Sequence, residues 1–120
     1  MIYLSMKTVD LIIPIYNEEE VIDAFHSKLE AALLGLPYLF TILYVNDGSQ
    51  DATALKLAAI SQTDKRVKVI ELSRNFGQQA ALTAGLDYAM GDYVISLDGD
   101  GQHPPELISE MLRIAESGYD

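Results

Sequence analysis

"TVDLIIPIYNEEE", residues 8–20, joins a short β-branched run to a polar cluster that opens a helical pattern. The same unit recurs in "YLFTILYV" (38–45), "RVKVIEL" (66–72) and "DYVISL" (92–97), each followed by a polar cluster and then by a longer segment of helical periodicity. Strands alternating with helices indicate βαβ units in a parallel sheet. The expectation is an α/β chain of about four strands whose right-handed crossovers stack the helices on the sheet faces, a Rossmann-like half.

Between the first two strands, Val21, Ile22, Phe25, Leu29, Ala32 and Leu33 fall at i, i+3/i+4 and i+7 spacings, and the pattern ends near Gly35 and Pro37. Glu18, Glu19 and Glu20 then occupy the first turn, where the macrodipole favours acids. A second helix is expected over about 50–60 with Ser49 as its N-cap, a third over about 76–90, and a fourth opening at Pro104 and Pro105. Gly85 inside the third helix costs about 1 kcal/mol against alanine, which close helix-to-sheet contact would explain. Tyr3, Tyr38, Tyr44, Tyr88 and Tyr93 read as core or rim packing, and His26, on a helix with acidic neighbours, reads as solvated.

Composition narrows the function. At 120 residues the chain is one domain at most. Eight basic residues against 18 acidic ones give a formal net charge of −10, which argues against nucleic acid or an anionic membrane surface as a direct partner. Any phosphate ligand must then be held by helix N-termini and cations. The absence of cysteine leaves no disulfide framework or thiolate metal site and fits a reducing, cytoplasmic setting. No segment approaches the roughly 18 consecutive apolar residues of a membrane span, and "MIYLSMK" lacks a signal-peptide pattern.

The polar clusters "YNEEE", "NDGSQD", "SRNFGQQ" and "DGDGQHPP" follow the carboxyl ends of the four strands. In open α/β sheets ligands bind in the crevice outside those ends, where strand order reverses. Turn and cap chemistry explains part of this pattern, but four clusters on one rim point to a site. In the last, Asp98 and Asp100 flank Gly99, so an extended turn aims both carboxylates to one side, where they repel unless a cation or proton lies between them. A hard divalent ion, Mg²⁺ or Mn²⁺, resolves the conflict; Gln102 offers it a carbonyl oxygen and His103 a nitrogen. An EF-hand reading fails, because His103 and Ser109 stand where that loop needs Gly and Glu. An aspartyl-nucleophile phosphatase places its Asp pair on the first strand with Thr or Val two residues beyond, where this chain has Gln102. A plain turn with two solvated aspartates, eased by Gly99 and Gly101, is the bland alternative.

"IIPIYNEEE", "YVNDGSQDAT", "LSRNFGQQAALTAGLDYAMGDYVISLDGDGQHPPELI" and the final "SGYD" resemble the N-terminal half of family 2 glycosyltransferases of the GT-A fold, in the same order and spacing from about Val9 to Asp120. Within that family the likeness is to polyprenyl- and dolichyl-phosphate sugar synthases, enzymes of cell envelope glycan biosynthesis. The resemblance implies that Pro14, Tyr16 and Glu18 lie beside the base and ribose of a nucleotide-sugar, and that Asp47 accepts an N–H of the base. It implies that Asp98, Asp100 and Gln102 hold Mg²⁺ or Mn²⁺ on the diphosphate, Asp98 and Asp100 being the catalytic pair. Arg74 resembles a family position lining the nucleotide pocket, with Asn75 and Gly77 shaping its loop; an arginine there serves equally as a partner for Asp98.

The chemistry implied is displacement, with inversion, at the anomeric carbon of a UDP- or GDP-sugar by a polyprenyl phosphate, with the metal acting as Lewis acid and template and positioning supplying much of the rest. Gly101 stands where relatives usually carry an apolar residue, and His103 where many carry Asp. Relatives continue past "GYD", so residues 1–120 are expected to form a single N-terminal nucleotide-sugar-binding domain with a truncated sheet. Such a domain binds donor without turnover, in an enzyme that is membrane-associated on the cytoplasmic face. An unpaired last strand would favour a homo-oligomer. A non-catalytic nucleotide-binding or assembly module on the same fold is the alternative. Nucleotidyltransferases want a glycine-rich, basic loop after the first strand, and "YNEEE" has the opposite charge.

Overall fold

Val9, Leu11, Ile12 and Ile13 are completely buried, so their strand must be covered on both faces. The computed structural model describes residues 6–99 and 104–118. Its elements are β1 (Lys7–Ile15), α1 (Ile22–Leu33), β2 (Tyr38–Asn46), α2 (Thr53–Thr63), β3 (Val67–Glu71), α3 (Gln78–Tyr88), β4 (Tyr93–Ser96) and α4 (Leu107–Glu116). The strands form a parallel sheet in the order β3-β2-β1-β4. β1 is central, in register with β2 from Lys7↔Tyr38 to Ile15↔Asn46 and with β4 from Val9↔Tyr93 to Ile12↔Ser96. Strand order therefore reverses between β1 and β4, and the expected βα alternation is what the chain adopts.

Alternation along β1 divides the core. Val9, Leu11, Ile13 and Ile15 join Ile42 and Tyr44 beneath Ile22, Phe25 and Leu29 of α1, Leu57 of α2, and Ile108 and Leu112 of α4. Ile12 points the other way and packs with Leu43, Val45 and Ala81 under α3. Both faces are covered, so the strand is a nearly continuous apolar run. Gly85 is where α3 touches the sheet: a Cβ there would lie 2.4 Å from Ile12 Cγ2.

Helix starts differ from their sequence expectations. Glu18, Glu19 and Glu20 precede α1; the Glu18 carbonyl accepts the N–H groups of Val21 and Ile22 at 3.1 and 3.0 Å, and Asp23 is the acid of the first turn. α2 starts at Thr53, three residues beyond the expected Gln50, and Ala52 rather than Ser49 is its N-cap. α3 is shorter at both ends than 76–90, and is stopped by buried Asp10, whose Oδ2 accepts the N–H groups of Met90 and Gly91 at 2.6 and 2.8 Å. Pro104 and Pro105 form the turn before α4, their carbonyls accepting the N–H groups of Leu107 and Ile108. Tyr44 is fully buried and Tyr38 and Tyr93 pack against the core, but Tyr88 is 64 % exposed at the end of α3 and packs in neither core; Tyr3 lies outside the described residues.

His26 is not solvated. It follows Ile22 by four residues and precedes Leu29 by three, a spacing that keeps it on the buried side of α1, and it is 5 % exposed. Its Nδ1 lies 2.7 Å from the Tyr44 hydroxyl and its Nε2 3.1 Å from Asp64 Oδ2. Arg66 clasps the same carboxylate through Nε at 2.9 Å and Nη2 at 2.8 Å. Burial and the Asp64 charge push the Tyr44 hydroxyl pKa up, so it stays protonated; the Asp64 carboxylate only accepts, so Nε2–H donates to it. The acidic neighbours on α1 face solvent; this histidine does not.

Hydrogen bonds from Arg66 hold the Asp64 carboxyl well below the usual carboxylate range. The folded state therefore gives up this proton more readily than the unfolded chain. Its contribution is complete above about pH 4, the unfolded value, and is lost as pH falls toward the folded value. Asp64→Asn is expected to lower stability by about 1–2 kcal/mol, because it takes the charge out of the buried hydrogen bonds of this carboxylate while Arg66, 37% exposed, stays partly hydrated, and to flatten the acid limb of stability against pH. Urea melts of both proteins between pH 7 and 2 measure this; an unchanged acid limb in the variant would sink the assignment.

Candidate functional site at the β1/β4 crevice

The loop after β1 is tied to the loop after β2 by reciprocal side-chain bonds. Asn17 adopts a left-handed backbone (φ 50°), which asparagine tolerates. Its N–H donates to Ser49 Oγ at 2.9 Å, and its Oδ1 accepts the Gln50 N–H at 2.8 Å. The N–H of Glu18 donates to Thr53 Oγ1 at 2.9 Å, that of Glu19 to Asp51 Oδ2 at 3.3 Å, and Lys56 Nζ to the Glu19 carbonyl at 2.6 Å. Ser49, read from sequence as a helix cap, is one of these ties. Together they fix Tyr16 and Glu18 at the end of β1.

The loop after β3 is anchored by Asp47. This residue is 3 % exposed, extends the ladder through its own N–H to the Ile15 carbonyl, and accepts the N–H of Phe76 at 2.8 Å and of Gly77 at 3.0 Å. Gly48 makes the approach possible. It has φ 72°, and a Cβ on it would lie 2.2 Å from the Arg74 carbonyl carbon and 2.3 Å from the Asn75 nitrogen. Beyond β4, Gly99 sits as tightly, a Cβ there falling 2.2 Å from Ile15 Cδ1. Gln78 Nε2 donates to Asp98 Oδ1 at 2.9 Å.

These four loops enclose a cleft of about 260 Å³. Pro14, Ile15, Tyr16 and Glu18 line it from β1, Asp47 from β2, Asn75, Gly77 and Gln78 from the loop after β3, and Asp98 and Gly99 from β4. Of the residues singled out by sequence, Pro14, Tyr16, Glu18, Asp47 and Asp98 thus share one wall-to-wall site. Arg74 is not among the lining residues; its guanidinium stacks 4.7 Å from the exposed Phe76 ring. Asp100 and Gln102, with Gly101 and His103, lie outside the described residues. Gln78 and the Asn17–Ser49 and Glu18–Thr53 ties escaped the sequence reading. Their signal was residue type alone, side chains that bond neighbouring backbone.

Three carboxylates, Glu18, Asp47 and Asp98, line the cleft, and among the described residues none of the lining side chains is basic. Hard oxygen donors gathered in this way are of the type that Mg²⁺ and Mn²⁺ prefer. A second grouping, His26, Glu30 and Asp64, offers ligand atoms within 4.8 Å of one another. It does not fit an ion, because both His26 nitrogens and both Asp64 oxygens are already bonded to Tyr44, to each other and to Arg66.

Residues 10–120 match the family model described as Glycosyl transferase family 2. The chain belongs to this family. It is 44% identical over 110 residues to the Bacillus subtilis (strain 168) glycosyltransferase YkcC, covering 92% of this chain and 34% of that protein. It is 41% identical over 116 residues to undecaprenyl-phosphate 4-deoxy-4-formamido-L-arabinose transferase of Yersinia pestis (strain Pestoides F), covering 96% of this chain and 36% of that one. The family 2 chain thus spans about a third of the length of these relatives.

Among solved structures, the mannosyltransferase of Pyrobaculum calidifontis in complex with GDP-Man and Mn²⁺ superposes with a TM-score of 0.69 at 22% identity, over 82% of this chain and 29% of that one. S. aureus TarS in complex with UDP-GlcNAc gives 0.73 at 24%, over 93% and 32%. The fold is therefore the GT-A fold of these glycosyltransferases. No helix among the described residues is long and apolar enough to cross a membrane.

Proposed function

We propose that this chain is the donor-binding half of a glycosyltransferase that moves a sugar from a nucleoside diphosphate to a polyprenyl phosphate. The observation that carries this is the convergence of all four strand ends on an acidic cleft at the point of strand reversal. Pro14, Tyr16 and Glu18 flank the base and ribose. Asp47 accepts a base N–H; each of its oxygens already takes one backbone N–H and keeps a second lone pair for a ligand. Asp98, with Asp100 and Gln102, holds Mg²⁺ or Mn²⁺ on the diphosphate. The bound ion supplies Lewis-acid stabilisation of the leaving diphosphate.

In the step itself, a phosphate oxygen of the acceptor bonds to the anomeric carbon from the face opposite the leaving group. The bond to the nucleoside diphosphate breaks, its electron pair leaves with the diphosphate, and the configuration inverts. The acceptor phosphate is already ionised, so no proton need be removed. Residues 1–120 form the donor domain of a longer, membrane-associated enzyme. The Yersinia pestis relative, named for an undecaprenyl-phosphate acceptor, and the two structural neighbours, bound to nucleotide-sugars, support the reading.

Calorimetric titration of UDP and GDP, each with and without Mn²⁺, tests it. One nucleotide is expected to bind, and only with the metal present. Binding of neither by a sample that melts cooperatively would overturn the proposal.

A further inference from the structure

Gln78 is the first residue of α3, follows Gly77 (φ 103°), and lines the cleft with an exposed side chain. The backbone just before it is clamped, since the Phe76 and Gly77 N–H groups both donate to the buried Asp47 carboxylate. Gly48 fixes the same loop from below, with no room for a Cβ against Arg74 and Asn75. From this held position the Gln78 amide reaches Asp98 Oδ1 at 2.9 Å. An ionised carboxylate only accepts, so the amide nitrogen must face it.

An exposed neutral-to-charged hydrogen bond adds little to folding, because water replaces it at small net cost. Stability therefore gives no reason for a glutamine at this point of the helix. Orientation does. Carboxylates that bind metals are themselves hydrogen-bonded, and those partners set the angle at which the oxygens meet the ion.

We propose that Gln78 is the positioning residue for the Asp98 carboxylate, and that the run Asp47, Phe76–Gly77, Gln78, Asp98 links the base end of the cleft to its metal end. The proposal rests on the donor-site reading above. Asp47 then has two tasks, accepting from the base and holding the loop that aims the metal ligand. Gln78 itself touches neither nucleotide nor sugar in this scheme and acts through Asp98.

Gln78→Met keeps the length of the side chain and removes its donor. Wild type, Gln78→Met and Gln79→Met are each mixed with the better-binding of UDP and GDP, Mn²⁺ is titrated in, and its uptake is read from the loss of the free-ion electron paramagnetic resonance signal against a blank of nucleotide without protein. Gln78→Met is expected to bind Mn²⁺ about tenfold more weakly, the lower end of the range for partners of metal ligands, with an unchanged urea midpoint. Gln79→Met, the exposed neighbour on the same helix turn, is expected to match wild type. Equal Mn²⁺ affinity in wild type and Gln78→Met would overturn the positioning role while leaving the donor site standing. Equal weakening in both variants would also overturn it, as an effect of the helix rather than of the contact. No Mn²⁺ binding by the wild-type nucleotide complex would overturn the donor-site reading and this proposal with it.

Discussion

Asp98→Asn is expected to abolish Mn²⁺-dependent binding of UDP or GDP. A unit charge pair at about 4 Å is worth about 4 kcal/mol at the effective dielectric of a protein surface, so loss of one carboxylate charge beside a divalent ion lowers affinity on the order of a hundredfold or more. The asparagine is isosteric and its Oδ1 still accepts from Gln78, which sits 2.9 Å away in the wild type. The fold should therefore be kept, with an unchanged melting temperature. The same calorimetric titration reads the result. An assembly module built on this fold would have no use for that charge, and undiminished metal-dependent affinity in the variant would rule out Asp98 as a ligand.

Gly48→Ala is expected to cost about 3 kcal/mol of stability. A left-handed backbone carrying a Cβ accounts for about 1–2 kcal/mol, and the remainder comes from overpacking, typically 1–3 kcal/mol. The clash is with main chain: the new carbon would meet the Arg74 carbonyl carbon at 2.2 Å, and main chain cannot rotate aside as a side-chain tip can. The whole 74–77 loop must lift, breaking both Asp47 contacts and withdrawing Gln78. Urea denaturation gives the loss directly. A variant as stable as wild type would mean that this loop does not sit where the Asp47 bonds hold it.

Much of the fold was legible because β-branched runs and helical periodicity are signals carried by each segment alone. β1 through β4 fall within a residue of the runs at 8–15, 38–45, 66–72 and 92–97. Helix starts were misread wherever a side chain bonds across to another loop instead of capping its own helix, as Ser49 does toward Asn17. No local pattern distinguishes those two uses of a serine. His26 went wrong for a different reason. Its buried partners, Tyr44 and Asp64, are 18 and 38 residues away, and acidic neighbours in sequence outweighed a spacing that placed it inward. The gathering of Pro14, Tyr16, Glu18, Asp47 and Asp98 was foreseeable once the strands were parallel, because every strand then ends on one rim. Gln78 was not, since its partner comes 20 residues later and glutamine at a helix start is unremarked by any pattern.

The unequal pairing of β1 has a consequence for where the molecule opens. β1 and β2 share nine residue pairs, whereas β4 is four residues long and meets β1 only from Val9↔Tyr93 to Ile12↔Ser96. Tyr93 and Val9 are also far apart along the chain, so that pairing closes a long loop. With four residue pairs against nine, β4 is tied to β1 by a shorter ladder than β2 is, so its amide hydrogens are expected to exchange faster. Asp98 hangs from that strand. A ligand bridging Asp98 to the β2 and α3 side of the cleft would tie β4 to the rest of the sheet and slow its opening.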